Sequence, residues 1–285
     1  MAAGLPRRPR FFRSEVDLLS AGGIDAAVIC TPHSRHAEQV RHALEAGAHV
    51  LCEKPFVTNS VEGAALVRLA REQNLALFVA YTRRSRGHAR FLLEAAERIG
   101  PLTRAVITRT QPWLQLHRRT WRVHADEGGG FLIDAGASML DILLHLTNAP
   151  VEAVDAVLER QGGYEVDVRA SIRVFFQGGA EADIVLVGDA TESVETIRIF
   201  GEHGSAGWIL REDAPYDLYV RCGDGPSENG DPVPYRTAPP DDAFVDAIRS
   251  GRNFGHGSGG SLHDAENAVP VVELIEKILR EARWR

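Results

Sequence analysis

The sequence predicts an α/β protein. Residues 1–100 read as part of a doubly wound parallel sheet, and 101–285 as an α+β unit on a large, open, mainly antiparallel sheet. Three observations carry this expectation. Residues 26–81 alternate short, continuously apolar runs with segments of helical spacing, the pattern of strands buried on both faces and joined by crossover helices. Residues 151–200 instead hold four runs of period-two character, with the hairpin signal Gly178-Gly179 between two of them. The rhythm changes at Gly100-Pro101, where the boundary between the units is expected.

Taken in order, Ala-Ala-Val-Ile-Cys over 26–30 is a buried strand that ends at Thr31-Pro32. A helix over 35–46 follows, with apolar or small residues at Ala37, Val40, Ala43 and Leu44 and a stop at Gly47. A strand over 49–52, a helix over 61–73 and a strand over 75–81 complete the first unit. The second opens with a strand over 102–110 and a helix over 130–146, the latter flanked by Gly128-Gly129-Gly130 and Asn148-Ala149-Pro150. Strands are expected over 151–159, 169–176, 180–186 and 196–200. The Gly-, Pro- and Asp-rich stretch 222–240 reads as a surface loop. Helices over 241–250 and 262–283, separated by the glycine-rich 255–260, close the chain.

Composition narrows the function. Of 285 residues, 44% are hydrophobic and 25% charged, which argues against disorder. A net charge of −7 with no long basic block argues against a nucleic-acid partner. No apolar run approaches the roughly 18 residues of a membrane span, and the start, with Arg7, Arg8 and Arg10, lacks a signal peptide's apolar run. No membrane partner is expected. Three cysteines without a C-x-x-C pair suggest reduced thiols in the cytoplasm; Cys30 and Cys52, closing adjacent strands, are expected to be buried and inert. His33 and His36 have H-x-x-H spacing but no third ligand nearby, so no metal site is expected.

A doubly wound nucleotide-binding sheet normally opens with a strand and a glycine-rich turn that seats a pyrophosphate on a helix N-terminus. Here no G-x-G-x-x-G follows an early strand: upstream lie only Gly4, Gly22 and Gly23, and the other glycine clusters sit in the wrong context. The missing β-α-β-α-β half would take about sixty residues. The expectation is a chain that enters its α/β unit partway, through a late start or as a natural short form.

Three local patterns coincide. Thr31-Pro32-His33-Ser34-Arg35-His36 follows one strand, Glu53-Lys54-Pro55 the next, and Gly128-Gly129-Gly130 precedes a helix carrying Asp134. In this order and spacing the chain resembles the Gfo/Idh/MocA family of NAD(P)-dependent oxidoreductases. The resemblance implies a Rossmann domain, here partial, and a C-terminal α/β domain whose open sheet often joins subunits.

Lys54 stands at the carboxyl end of a predicted strand, where ligands of open α/β sheets bind and where a lysine can move a proton to or from a hydroxyl. The resemblance implies that it contacts nicotinamide and substrate, with a commonly cis Lys54-Pro55 bond. It also implies a cofactor-side set of Thr31, Pro32, His36, Glu53, Lys54 and Pro55. On the predicted helix, Asp134, Ser138, Asp141 and His145 recur at steps of four, three and four and share a face. Such a stripe is ordinarily the solvated side. In the family an Asp-x-x-x-His pair on this helix faces the nicotinamide; Asp134 matches the aspartate, but Ser138 stands where histidine is expected. His145, about 10 Å further along the axis, cannot replace it. Tyr81, Arg83 and Arg84, together with Trp121-Arg122, fall in segments that the family uses around the substrate. Arginine suits a carboxylate or phosphate and tryptophan a sugar face.

The implied activity is hydride transfer between NAD or NADP and a secondary alcohol or ketone of a sugar, cyclitol or related polyol. Lys54 and Asp134 are its catalytic pair, and a homo-oligomer through the C-terminal sheet is its assembly. The absent glycine turn and Ser138 leave open a cofactor-independent lyase or isomerase on the same pair, or a noncatalytic subunit. NADH binding by the chain as written is expected to be weak or absent.

Overall fold

The computed structural model describes residues 9–211, 217–231, 238–251, 254, 261 and 263–285. The glycine-rich 255–260 and the expected helix start at Leu262 lie outside these residues.

A short helix α1 (Glu15–Ser20), capped by the Ser14 hydroxyl on Asp17 N at 3.1 Å, leads into the first sheet. There β1 (Ala26–Ile29), α2 (His36–Glu45), β2 (His49–Cys52), α3 (Ser60–Glu72) and β3 (Leu77–Val79) alternate, and the strands pair in parallel in the order β1-β2-β3. Val50, Leu51 and Cys52 of central β2 are buried, as a strand covered on both faces must be. The edge strand β1 departs from the expectation: Val28 is 64% exposed, because β1 has a neighbour on one side only. For the same reason Cys30 is exposed rather than buried, while Cys52 is buried as expected.

Helix α4 (Gly87–Ile99) links the first sheet to β4 (Leu102–Thr110); the sequence reading did not include it. Strands β5 (Val151–Glu159), β6 (Arg169–Phe176), β7 (Glu181–Val187) and β8 (Val194–Gly201) lie close to their predicted ranges. The sheet then continues through β9 (Gly204–Arg211), β10 (Asp217–Cys222) and β11 (Glu228–Asn229), and Glu228–Asn229 lies where a surface loop was expected. Its nine strands run β11-β10-β9-β8-β4-β7-β6-β5-β12, where β12 is Arg283–Trp284. Among the described residues, only the β4–β7 and β5–β12 pairs of this sheet are parallel.

In β6, Ala170, Ile172, Val174 and Phe176 point to the buried face, with Arg169, Ser171, Arg173 and Phe175 more exposed between them. Helix α4, α6 (Ala137–Thr147) and α8 (Val269–Glu281) cover this face. The outer face carries charge: Arg104 of β4 and Arg173 of β6 both pair with Asp183 of β7. Helix α7 (Pro240–Arg249) packs on β2 and β3 through Phe244. Among the described residues one helical stretch, Ala125–Thr147, is long and apolar enough on average to cross a membrane, although acidic residues interrupt it. It is the core helix of this fold, with Leu140, Ile142 and Leu143 fully buried.

Candidate active site

Beyond Cys52 the chain turns through Glu53, Lys54 and a cis Lys54-Pro55 bond. This turn aims Lys54 at the start of the core helix. Its Nζ donates to Asp134 Oδ1 at 2.9 Å and to the Asp134 carbonyl at 2.6 Å. The other carboxylate oxygen, Oδ2, accepts from Trp113 Nε1 at 2.8 Å and Arg122 Nε at 3.0 Å. Burial by itself would raise the Asp134 pKa. Lys54, Trp113 and Arg122 outweigh it and hold the carboxyl well below the usual range. Two cations thus share one carboxylate. The Lys54 side chain stays 23% exposed and that of Arg122 31%, so both reach solvent.

Asp134 owes its position to backbone geometry. It lies in a π-helical turn, Leu132–Gly136, which precedes α6. The fully buried Asp167 caps this turn: Oδ2 accepts from Leu132 N at 2.7 Å, and the Asp167 carbonyl accepts from Phe131 N at 3.0 Å. At Gly130 (φ +123°) a Cβ would collide with Asp167 Oδ1, and at Gly129 with the Arg122 carbonyl, so the glycine run permits both approaches. Burial pushes the Asp167 carboxyl up to about 7.

The residues expected on the cofactor side lie in the loops that follow β1 and β2, around the turn that carries Lys54. The ring nitrogens of His36 lie 2.9 Å from the Pro55 carbonyl and 3.1 Å from the Thr31 carbonyl, tying together the loops that follow β1 and β2. His36 is fully buried, so its side chain packs between these loops and is not exposed at their surface. Thr31 Oγ1 donates to Gln39 Oε1 at 2.6 Å, and Lys54 N donates to Glu53 Oε2 at 3.2 Å. His33 Nδ1 donates to the Gly128 carbonyl at 2.8 Å, and its ring meets Trp121 edge-on at 4.5 Å. Burial lowers His33 to about 3, so the ring is neutral at ordinary pH. Pro32 sits at the turn between them and directly precedes His33.

The substrate-side set divides. Trp121 and Arg122 border the Lys54–Asp134 pair, and Arg122 also lies over the Trp121 ring at 4.4 Å. Tyr81 and Arg84 are buried instead. Arg84 Nε donates to both oxygens of Asp141, at 3.0 and 2.8 Å, and Nη2 donates to the Asn267 carbonyl at 3.1 Å. The guanidinium also stacks on Tyr81 at 4.9 Å. This network joins the strand-end turn to α6 and to the 3-10 turn Ala265–Ala268 before α8, and it keeps both residues inside the core. The neighbouring Arg83 instead meets Glu195, as does Arg109.

The polar stripe is not the solvated side of its helix: Asp134, Ser138 and Asp141 are all buried. Lys54, Trp113 and Arg122 on Asp134, and Arg84 on Asp141, make the burial of the two carboxylates tolerable. Ser138 lies one turn beyond Asp134, and His145 Nδ1 bonds the Asp141 carbonyl further along. The sequence reading missed Trp113, Asp167 and Glu195, which no local motif marks. Among the described residues no His, Cys, Asp and Glu cluster suits a metal ion, H-x-x-H included.

Comparison with known proteins bears on this geometry. Residues 6–81 match an oxidoreductase family with an NAD-binding Rossmann fold, and residues 89–207 match the GFO/IDH/MocA C-terminal domain. A dTDP-3,4-didehydro-2,6-dideoxy-alpha-D-glucose 3-reductase of Streptomyces violaceoruber is 30% identical over 93% of this chain and 79% of that protein. A 1,5-anhydro-D-fructose reductase of Ensifer adhaerens is 30% identical over 68% of this chain, which spans only 59% of that relative. The crystal structure of the WlbA dehydrogenase from Bordetella pertussis, in complex with NADH and UDP-GlcNAcA, shares the fold: TM-score 0.78 at 22% identity, over 94% of this chain and 79% of that one. With both halves matched in order, the chain belongs to the Gfo/Idh/MocA family of NAD-binding oxidoreductases.

Proposed function

We propose that this protein interconverts a secondary alcohol and a ketone on a sugar, cyclitol or related polyol in the cytoplasm, with NAD or NADP as the hydride partner. The observation that carries the reading is Lys54 Nζ, 2.9 Å from Asp134 Oδ1, at the carboxyl end of β2. Asp134 fixes the ammonium, and Lys54 holds the proton that the substrate oxygen gains or loses. Arg122 and Trp121 border the same opening and suit a polyol's hydroxyls and ring face. The nicotinamide cofactor, when bound, supplies or accepts the hydride. The names of the two curated relatives, both sugar reductases, support this substrate class.

The residues present fit one end of such a cofactor. Thr31, Pro32, Lys54 and Pro55 gather where the nicotinamide end would lie, at the carboxyl ends of β1 and β2. No glycine-rich turn follows an early strand within these 285 residues to cradle the pyrophosphate, and the reading therefore includes weak NADH binding by these residues on their own. A fluorescence titration tests that point, and a saturable micromolar isotherm overturns it. Activity is therefore assayed at millimolar NADH or NADPH with keto-sugars, including nucleotide-linked ones, following absorbance at 340 nm. Oxidation of the cofactor that requires the keto-sugar supports the reading. Substrate conversion with no change at 340 nm favours the second reading, a lyase or isomerase on Lys54 and Asp134, which Ser138 in place of the family histidine supports. The proposal includes a homo-oligomer through the outer face of the nine-stranded sheet, and light scattering that shows a monomer counts against it.

A further inference from the structure

Two consecutive amides at the start of the core helix, those of Phe131 and Leu132, donate to one residue of the loop between β5 and β6, Asp167. That residue stands on firm ground. Its neighbour Val168 donates from N to the Glu159 carbonyl at 2.8 Å, and the Val168 carbonyl accepts from Gly188 N at 2.8 Å. The end of β5 and the residue after β7 thus hold it from both sides. From this point to the reactive pair the chain of contacts is unbroken. Leu132 opens the π turn, Asp134 is its third residue, and the Asp134 carboxylate meets Lys54 Nζ at 2.9 Å. A π turn is a rare, single-turn departure from α geometry and persists only where its surroundings hold it. Relaxation to an α turn shifts the register by one position, about 100° around the axis, and swings Asp134 away from Lys54.

The Asp167 carboxyl does this without a counter-cation. Around it stand the Phe131 and Leu132 amides, its own backbone N–H, Gly130 and Val166. Arg169, two positions on, is committed to Asp189 at 2.8 and 2.7 Å. Among the described residues no charged side chain acts on Asp167. Burial favours the acid, the three backbone donors favour the carboxylate, and burial wins, which puts the group at about 7. An ionised acceptor bonds an amide about twice as strongly as a neutral one.

We propose that Asp167 is a positioning residue for the Lys54–Asp134 pair, acting through the π turn that it caps: the ionised carboxylate locks the turn in the register that presents Asp134 to the lysine. Its effect on turnover rests on the hydride-transfer reading above; its hold on Asp134 does not. The sign of the pH dependence separates this role from a merely structural one. The stability due to Asp167 declines as pH rises toward 7, because the folded chain prefers the acid. The hold on Asp134 strengthens over the same interval, because the ionised cap is the stronger acceptor. Turnover and stability therefore move in opposite directions.

Two measurements test it. Trp113, at the start of the short helix α5 (Trp113–His117), donates from Nε1 to Asp134 Oδ2 at 2.8 Å, so its indole proton reports where that carboxylate stands. The chain has four tryptophans, and loss of one signal in Trp113→Phe assigns the resonance. The groups facing this reporter are Lys54 and Arg122, which share Asp134, and His117, whose ring centroid lies 5.7 Å from that of Trp113. Followed by NMR from about pH 5 to about pH 9, the indole proton should move with a midpoint near 7 in the parent and lose that step in Asp167→Asn. A step owed to His117 persists in the variant. An indole proton that titrates identically in both proteins, or in neither, overturns the proposal. Asp167→Ser, another neutral cap, takes the place of the asparagine variant if that does not fold. The second measurement is kinetic. The parent's kcat divided by that of Asp167→Asn should be about one near pH 5.5 and rise to about fivefold near pH 8, with KM little changed, the step from a neutral to a charged hydrogen bond. A ratio that stays constant with pH overturns the proposal. A parent that oxidises no cofactor with any keto-sugar overturns the hydride-transfer reading instead, and the indole titration still decides whether Asp167 sets the position of Asp134.

Discussion

The Trp113 indole and the Asp134 carboxylate meet at 2.8 Å, 21 positions apart in sequence, and between them they fix the direction of Lys54. Trp113→Phe keeps the ring and deletes the donor. Oδ2 of a buried carboxylate is then left to Arg122 alone, a loss of about 1–3 kcal/mol. We expect a lower thermal midpoint and turnover reduced about tenfold, equivalent to about 1.4 kcal/mol of barrier. Wild-type turnover in a folded Trp113→Phe protein would show that the indole does not hold Asp134 in a role that turnover depends on.

Lys54→Met preserves most of the side-chain volume and removes the group proposed to carry the proton. Turnover should fall by roughly a hundredfold or more, the scale of lost general acid–base catalysis. Near-ultraviolet circular dichroism should match the parent, since Lys54 is on the rim of the core. Retention of activity would exclude the proton transfer at Lys54.

The Arg84–Asp141 pair predicts a strongly non-additive response. Both side chains are buried, so Arg84→Met leaves an uncompensated carboxylate at a cost of about 3–5 kcal/mol. Adding Asp141→Leu removes that stranded charge, and the double variant should regain much of the loss in denaturant unfolding. Additive losses would mean that the two groups are not coupled.

Asp167 gives the stability of this fold a pH dependence of definite sign. An unfolded aspartate titrates near 3.8, and burial raises Asp167 to about 7. Between those values the folded chain keeps a proton that the unfolded chain has released, so this residue's contribution declines as pH rises from about 4 to about 7 and is level above. Asp167→Asn lacks that slope and retains a side-chain oxygen for Leu132 N. The parent's thermal midpoint minus the variant's should fall across this window. Two parallel curves would assign Asp167 an ordinary pKa.

How far the sequence can be read depends on whether a signal is local. Strand β4, the hairpin at Gly178-Gly179 and the helices α2 and α3 are written in nearest-neighbour periodicity, and the structure has them within a few residues of their expected ranges. The strip from Asp134 to Asp141 is equally visible as a pattern, but its burial is not. What buries it is Trp113, Arg122 and Arg84, whose distances in sequence follow no period. Tyr81 and Arg84 illustrate the same limit: they follow a strand end, where ligands gather, yet Asp141 takes up the guanidinium. Helix α4 has an apolar face at Phe91, Leu92, Ala95 and Ile99, so its signal was present and unread. The cap at Asp167 has no such signature, since it lies between two strands and acts on a helix start 35 residues upstream.

Strand β4 opens the second half of the chain yet lies fifth of nine in its sheet, between β7 and β8. Its two neighbours are synthesised long after it, so β4 must wait, unpaired, for residues beyond Glu181. The closure of such distant pairings is slow, whereas β1, β2 and β3 need only adjacent crossovers. Lys54 and Asp134 stand 80 positions apart, one beyond a strand of the small sheet and the other at the start of the helix covering the large one, so their ion pair forms only where the two units meet.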